Sequence, residues 1–147
     1  MIASAAILVP LPAPLPPGLG ARIAAWLGLA CARTGCEFTV AELLEMCADG
    51  EAQLVAVCGA AGPVAAGVTQ VRRHADGRRT CWVLALGGVA FGPWSAVIAA
   101  IERGAARLGC SNVEFVGRRG WARVLPGYTA TPCEVGFHFE KTLEARR

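Results

Sequence analysis

The fold is decided by residues 92–128, which read GPWSAVIAAIERGAARLGCSNVEFVGRRGWARVLPGY. The first part of this stretch has the apolar spacing of a helix with one buried face. That apolar stripe consists of Val97, Ile98, Ile101, Ala105 and Leu108. Pro93 suits the first turn of such a helix, and Gly109 can take the left-handed conformation that ends one. Residues 112–116 then predict a strand, so the stretch forms the helix and second strand of a right-handed crossover.

Three strand candidates lead into this stretch. Residues 54–58 are a continuous apolar run, residues 65–73 alternate loosely, and residues 80–86 are rich in β-favouring side chains. Asp76 and Gly77 form a hairpin signal between the second and third candidates. The sequence therefore predicts an antiparallel meander that leads into the crossover, whose loop is where ligands of open α/β sheets bind.

A strand and two helices are predicted before the meander. Residues 5–11 predict a short edge strand, and the prolines of residues 12–17 predict an extended connector. Apolar residues at helical spacing follow over residues 19–30. Thr39 and Glu42 then have the capping-box spacing that begins a second helix.

A short helix and a hairpin are predicted after the crossover. Residues 119–125 predict the helix, and residues 128–135 and 136–143 predict the hairpin, with the charged residues 140–147 fraying into solvent. The predicted fold class is α/β, with a mixed α+β sheet. Its order is strand, two helices, three-strand meander, helix, strand, short helix and hairpin.

The composition is that of a globular chain. The 147 residues are 54% hydrophobic and 17% charged, which predicts one domain over residues 1–147, with residues 1–18 as a proline-rich N-terminal segment. The net charge of +3 does not favour nucleic acid as a partner. The most apolar stretch is broken by glycine and proline, so no membrane span is expected. The first charged residue is Arg22, so no signal peptide is expected either.

The cysteines and histidines do not suggest a metal site. The seven cysteines contain no CxxC pair, and the only histidines are His74 and His138. The cysteines lie mostly in apolar runs, as free thiols do in a reducing compartment. Neither these residues nor Glu114 forms a recognisable constellation with another group, and no metal is expected.

The order of elements resembles that of the GNAT acyltransferase superfamily over nearly the whole chain. More narrowly, LGCSNVEFVGRRGWARVLPGY over residues 108–128, with Lys141, Thr142 and Leu143, resembles small GNAT-like proteins of tailed phages and prophages. Some of those proteins are associated with the phage particle. The resemblance implies a location in the host cytoplasm or in the virion.

The resemblance also implies acetyl-CoA as a cofactor. Superfamily members hold its pyrophosphate on backbone N–H groups at a helix start, in a Gln/Arg-x-x-Gly-x-Gly/Ala loop. Here the matching residues 86–95 read LGGVAFGPWS. The cofactor-binding candidates are Gly87, Gly88, Gly92 and Ser95. The loop departs from the pattern at Val89 and Trp94, which replace the Gln/Arg and the second Gly/Ala, and at Pro93, which offers no N–H.

Catalytic candidates come from the same resemblance. Many members use a tyrosine of the short last helix as a general acid. If Gly127 and Tyr128 match the Gly-Phe pair that follows that helix, Tyr128, the only tyrosine, has a packing position, and the alternative role for it is that of proton donor. Glu114 lies on the strand where a general base can sit. The candidates are therefore Glu114 and Tyr128.

Two functions remain open. The preferred one is a GNAT-like phage or prophage protein without efficient acetyl transfer, a non-catalytic binding or virion-associated component. Its partners would be other particle proteins or further copies of itself. The alternative is an active acetyl-CoA-dependent N-acetyltransferase, whose acceptor the sequence does not identify.

Overall fold

A computed structural model describes residues 7–11, 15–33, 37–60, 62–88 and 94–143. In chain order the elements are β1 (Ile7–Pro10), α1 (Pro17–Arg33), α2 (Val40–Ala48), β2 (Gln53–Gly59), β3 (Gly62–Arg73), β4 (Arg79–Gly88), α3 (Trp94–Arg107), β5 (Asn112–Gly117), α4 (Trp121–Val124), β6 (Thr129–Cys133) and β7 (Gly136–Thr142). The strands form one seven-stranded sheet in the order β1-β2-β3-β4-β5-β7-β6. The predicted α/β class and element order are confirmed.

The sheet is mixed because one of its pairings is parallel. β4 and β5 run in the same direction, as the crossover through α3 requires, and every other neighbouring pair is antiparallel. Gly77 and Gly109 both have positive φ, in the hairpin between β3 and β4 and at the end of α3. Glycine adopts this conformation without steric cost, so both turns could be predicted from the sequence.

Two apolar layers cover opposite faces of the sheet. On one face α3 places Val97, Ile98 and Ile101 in a buried cluster with β-strand residues such as Val113 and Phe139. We call this the α3 face. On the other face, α1 and α2 form a second buried cluster with β2, β3 and β4. Because successive strand residues point to opposite faces, both layers can be built from the same strands.

The start of α2 follows the predicted capping box. The Thr39 hydroxyl accepts a hydrogen bond from the Glu42 backbone N–H at 3.1 Å, and Glu42 accepts one from the Thr39 N–H at 2.9 Å. These bonds satisfy backbone donors that have no partner inside the helix. The helix begins at Val40 because the chain before it is extended at Thr39.

The C-terminal strand β7 lies within the predicted residues 136–143 and keeps its charged end in the sheet. Glu140, Lys141 and Thr142 pair with β5 and do not fray, so that expectation is wrong for these three residues. Their pairing satisfies the backbone of β5 on the side away from β4. Residues 144–147 lie outside the described residues. Within the described chain, no helix has the length and apolar character to cross a membrane.

Candidate functional site

The strands β4 and β5 are paired only where both begin. The ladder consists of Thr80 with Asn112, Cys81 with Val113, and Trp82 with Glu114. Past this point β4 continues along β3 to Gly88, while β5 continues along β7 to Gly117. The two strands therefore separate beyond the Trp82–Glu114 pair, and we call the opening between them the fork.

The fork exposes one backbone edge of β4. Among the described residues, β5 provides no ladder partner for residues 85–88, whose other edge is paired with β3. An unpaired strand edge presents N–H and C=O groups to any extended chain that enters. A cavity of about 20 Å³ lies at the fork between Trp82, Leu84 and Val116, and Phe38 from the α1–α2 connection also lines it.

Two of the predicted cofactor-binding glycines are strand residues with close neighbours. A Cβ added at Gly87 would lie 2.3 Å from the Trp26 carbonyl oxygen of α1. A Cβ added at Gly88 would lie 2.3 Å from the Ala65 Cβ of β3. Close packing thus accounts for both glycines, and a phosphate-binding role for either stays a prediction.

The other two cofactor candidates lie at the start of α3. Gly92 falls outside the described residues. Ser95 lies in the first turn of α3 and is half-buried. Helix N-termini present free backbone N–H groups, so phosphate binding by Ser95 also stays a prediction.

A row of polar side chains lies below the fork, on the face opposite α3. We call Thr80, Asn112, Glu114, His138 and Glu140 the polar row. Asn112 is 5% exposed, and its Nδ2 donates to Glu114 Oε2 at 3.0 Å and to Glu140 Oε2 at 2.7 Å. Its Oδ1 accepts from the Thr80 hydroxyl at 2.9 Å and from the Ser111 hydroxyl at 3.2 Å. Both amide donors are therefore used and the amide oxygen accepts from Thr80, which fixes the orientation of the Asn112 side chain.

His138 joins the polar row to an aromatic side chain. Its Nε2 lies 2.7 Å from Glu114 Oε1, and the His138 and Glu114 side chains are 30% and 13% exposed. The His138 ring lies 5.6 Å from that of Trp82, over which the Arg72 guanidinium sits at 4.6 Å. The side chains of β7, β5 and β4 thus form one polar and aromatic surface at the base of the fork.

His74 extends the row at its other end. Its Nε2 lies 2.8 Å from Thr80 Oγ1. Because the Thr80 hydroxyl proton is donated to Asn112, this His74 nitrogen acts as the donor. His74 itself is exposed at the hairpin between β3 and β4, although its partner Thr80 is fully buried.

The structure also corrects the expectation that these groups form no constellation. One ligand atom each of Glu114, His138 and Glu140 lies within 4.8 Å of the others. Sequence reasoning missed the cluster because its members come from β5 and β7, which are far apart in the chain. The signal that was available is the alternation of polar side chains in both strands, with Asn112 and Glu114 on one and His138 and Glu140 on the other.

The second catalytic candidate lies on the α3 face. The Tyr128 hydroxyl donates to Glu102 Oε2 at 2.8 Å, and Lys141 Nζ donates to Glu102 Oε1 at 3.0 Å. Burial, followed by the hydrogen bond to Glu102, raises the pKa of Tyr128. Glu114 alternates with Phe115, whose ring lies 5.6 Å from that of Tyr128. The two catalytic candidates are therefore on opposite faces and are not brought together.

The GRRGW motif is a packing element. A Cβ added at Gly117 would lie 2.9 Å from Trp121 Cδ1. The Trp121 ring meets Phe115 edge-on at 5.7 Å and Trp94 at 6.5 Å. Trp121 therefore packs the short helix α4 against the core, in the T-shaped geometry that aromatic pairs favour.

Comparison with known proteins shows the fold. No family model and no curated protein matches the sequence. A GNAT family acetyltransferase from Elizabethkingia anophelis with acetyl-CoA bound matches with a TM-score of 0.68 at 10% identity, over 96% of this chain and 100% of that one. An acetyltransferase from Bacillus subtilis in complex with CoA matches at 0.65 and 13%, over 95% and 99%. The IAA acetyltransferase from Bacillus cereus matches at 0.66 and 10%, over 94% and 99%. The chain therefore has the mixed α/β fold of GNAT acetyltransferases.

Proposed function

We propose that the fork is an acyl-CoA site and that this chain transfers the acyl group to an amine. The open edge of β4 over residues 85–88 is the observation that carries the proposal. The pantetheine arm of CoA is an extended chain with amide groups, which can pair with such an edge as an added strand does. Two of the similar structures were solved with acetyl-CoA or CoA bound, which supports this choice of ligand.

The reaction would take place where the two strands separate. The amine nitrogen attacks the thioester carbon, a C–N bond forms and the C–S bond breaks. The CoA thiolate leaves and takes up a proton, and the amine gives one up. No residue is assigned as general base, because holding the thioester and the amine together already lowers the barrier.

A second candidate is the non-catalytic phage or virion component. Gly87 and Gly88 favour it, because close packing fills the space beside both residues. The replacements at Val89 and Trp94 in the cofactor loop favour it as well. In this case the fold is kept for its surface, and the partners are particle proteins or further copies of the chain. Stoichiometric recovery of the protein in purified particles would support it.

Calorimetric titration with acetyl-CoA tests the proposed site. Val116→Trp places a large ring in the fork, where Val116 lines the cavity, so we expect saturable binding in wild type and none in this variant. Val135→Trp is the matched control, because Val135 is 54% exposed in the turn between β6 and β7. The thermal stability of each variant shows whether it is folded.

Turnover then separates the two candidates. CoA release with a panel of primary amines would support acyl transfer. Binding without turnover, together with recovery in particles, would support the non-catalytic role. If neither wild type nor Val135→Trp binds acetyl-CoA, the fork is not an acyl-CoA site.

A further inference from the structure

We propose that Glu114, His138 and Glu140 bind a divalent transition-metal ion, of which Zn²⁺ is the type. The three side chains project from β5 and β7 onto the face opposite α3, and one ligand atom of each lies within 4.8 Å of the others. One imidazole and two carboxylates suit zinc and its neighbours in the first transition row, whereas calcium and magnesium prefer oxygen ligands alone. This inference does not depend on acyl transfer.

The arrangement of the two carboxylates favours a cation as ligand. Asn112 Nδ2 lies 3.0 Å from a Glu114 oxygen and 2.7 Å from a Glu140 oxygen, so one neutral amide holds two carboxylates side by side. Among the described residues, the ion pairs are His138 with Glu114 and Lys141 with Glu102, and neither involves Glu140. A divalent ion would offset the charges of both carboxylates.

The carboxylates are held in a way that leaves oxygens for a metal. Asn112 bonds Oε2 of each glutamate, and His138 faces Oε1 of Glu114. Asn112 cannot turn, because its own oxygen accepts from Thr80, which is fully buried. Outer hydrogen bonds of this kind orient metal ligands and set their affinity.

The ligand atoms of His138 and Glu114 need to move only slightly to bind one metal ion. His138 Nε2 and Glu114 Oε1 are 2.7 Å apart, a hydrogen-bond distance. With metal–ligand bonds of about 2.0–2.1 Å, tetrahedral geometry separates ligand atoms by about 3.3 Å. A metal ion bound by both would therefore move these atoms apart by about 0.6 Å. Three protein ligands leave a fourth position, which faces the side of the sheet away from α3.

Metal titration of the chelator-treated protein tests the proposal. Co²⁺ is the spectroscopic probe, Zn²⁺ is measured by competition against a coloured indicator, and a thiol-free reductant keeps the cysteines reduced. We expect one ion per chain with the visible absorption of nitrogen and oxygen ligation. His138→Gln and Glu140→Gln should each weaken binding by at least about 100-fold, the upper range for losing even an outer-shell partner.

Glu134→Gln is the matched control, because Glu134 is an exposed carboxylate in the turn between β6 and β7 and lies outside the ligand set. Its affinity should equal that of wild type, and circular dichroism shows that all variants are folded. Absence of saturable binding would refute the site. Binding that survives both His138→Gln and Glu140→Gln would refute it as well. A thiolate charge-transfer band in place of the expected spectrum would show that the ion binds cysteine, and it would refute the proposed site.

Discussion

Replacing Tyr128 by phenylalanine tests whether this tyrosine stabilises the fold or takes part in chemistry. The side chain is 8% exposed, and its hydroxyl donates to Glu102 at 2.8 Å. A hydrogen bond to a charged group contributes about 1.5–3 kcal/mol. Lys141 still pairs with Glu102 in the variant, at 3.0 Å, so the carboxylate is not left without a partner. We therefore expect a loss near the lower end, about 2 kcal/mol.

Urea denaturation measures this loss. The slope of the unfolding free energy against urea concentration should be the same in both proteins. In thermal unfolding, a change of about 2 kcal/mol lowers the melting temperature of a domain this size by about 5 °C. In a Glu102→Gln background the effect of Tyr128→Phe should shrink, because the charged acceptor is gone. Equal losses in both backgrounds, or an unchanged stability, would refute the hydrogen-bond reasoning. Lost turnover with full stability would place Tyr128 in the chemistry.

The same residue gives the protein a dependence on alkaline pH. Burial and the bond to Glu102 raise the pKa of Tyr128 above its ordinary value of 10.0. The unfolded chain therefore loses this proton first, and the stability contributed by Tyr128 is complete below pH 10 and declines as the pH rises further. We expect unfolding free energy to fall less steeply above pH 10 in Tyr128→Phe than in wild type.

Two further predictions concern packing and thiol reactivity. Gly87→Ala should lower the free energy of unfolding by about 1–3 kcal/mol, because the new methyl group meets the Trp26 carbonyl oxygen. Gly104→Ala, where nothing lies within 4 Å, should raise it by about 0.5–1 kcal/mol, and equal effects in urea denaturation would contradict this contrast. Burial raises the pKa of Cys81 to about 12, so maleimide at neutral pH should label exposed Cys133 long before Cys81. Peptide mass spectrometry measures the order, and comparable rates would refute it.

The parts of the fold that depend on neighbouring residues were predictable. The α3 stripe from Val97 to Ala105, the capping box at Thr39 and the turns at Gly77 and Gly109 are local patterns, and the structure contains all of them. Leu108, which was expected on the same stripe, lies beyond the end of α3 and is 51% exposed. Local patterns fix where elements begin and end. Their order then limits the topology to few choices, which is why the GNAT-type sheet could be expected.

The candidate site was not predictable because it depends on strand register. Glu114 faces Glu140, and Val116 faces His138. A slip of one residue between β5 and β7 would send the β7 side chains to the opposite face. The fork is equally non-local, because no local pattern in the residues after Trp82 indicates that β5 separates from β4 there.

The short ladder between β4 and β5 also has a mechanical consequence. Only three residue pairs join the half of the sheet made by β1–β4 to the half made by β5–β7. The buried cluster under α3, which includes Val57 and Ala65 from one half and Val113 and Phe139 from the other, carries the rest of the connection. Native proteins open in cooperative units with separate free energies. In hydrogen exchange the two halves should behave as two such units, which the packing of α3 across both of them holds together.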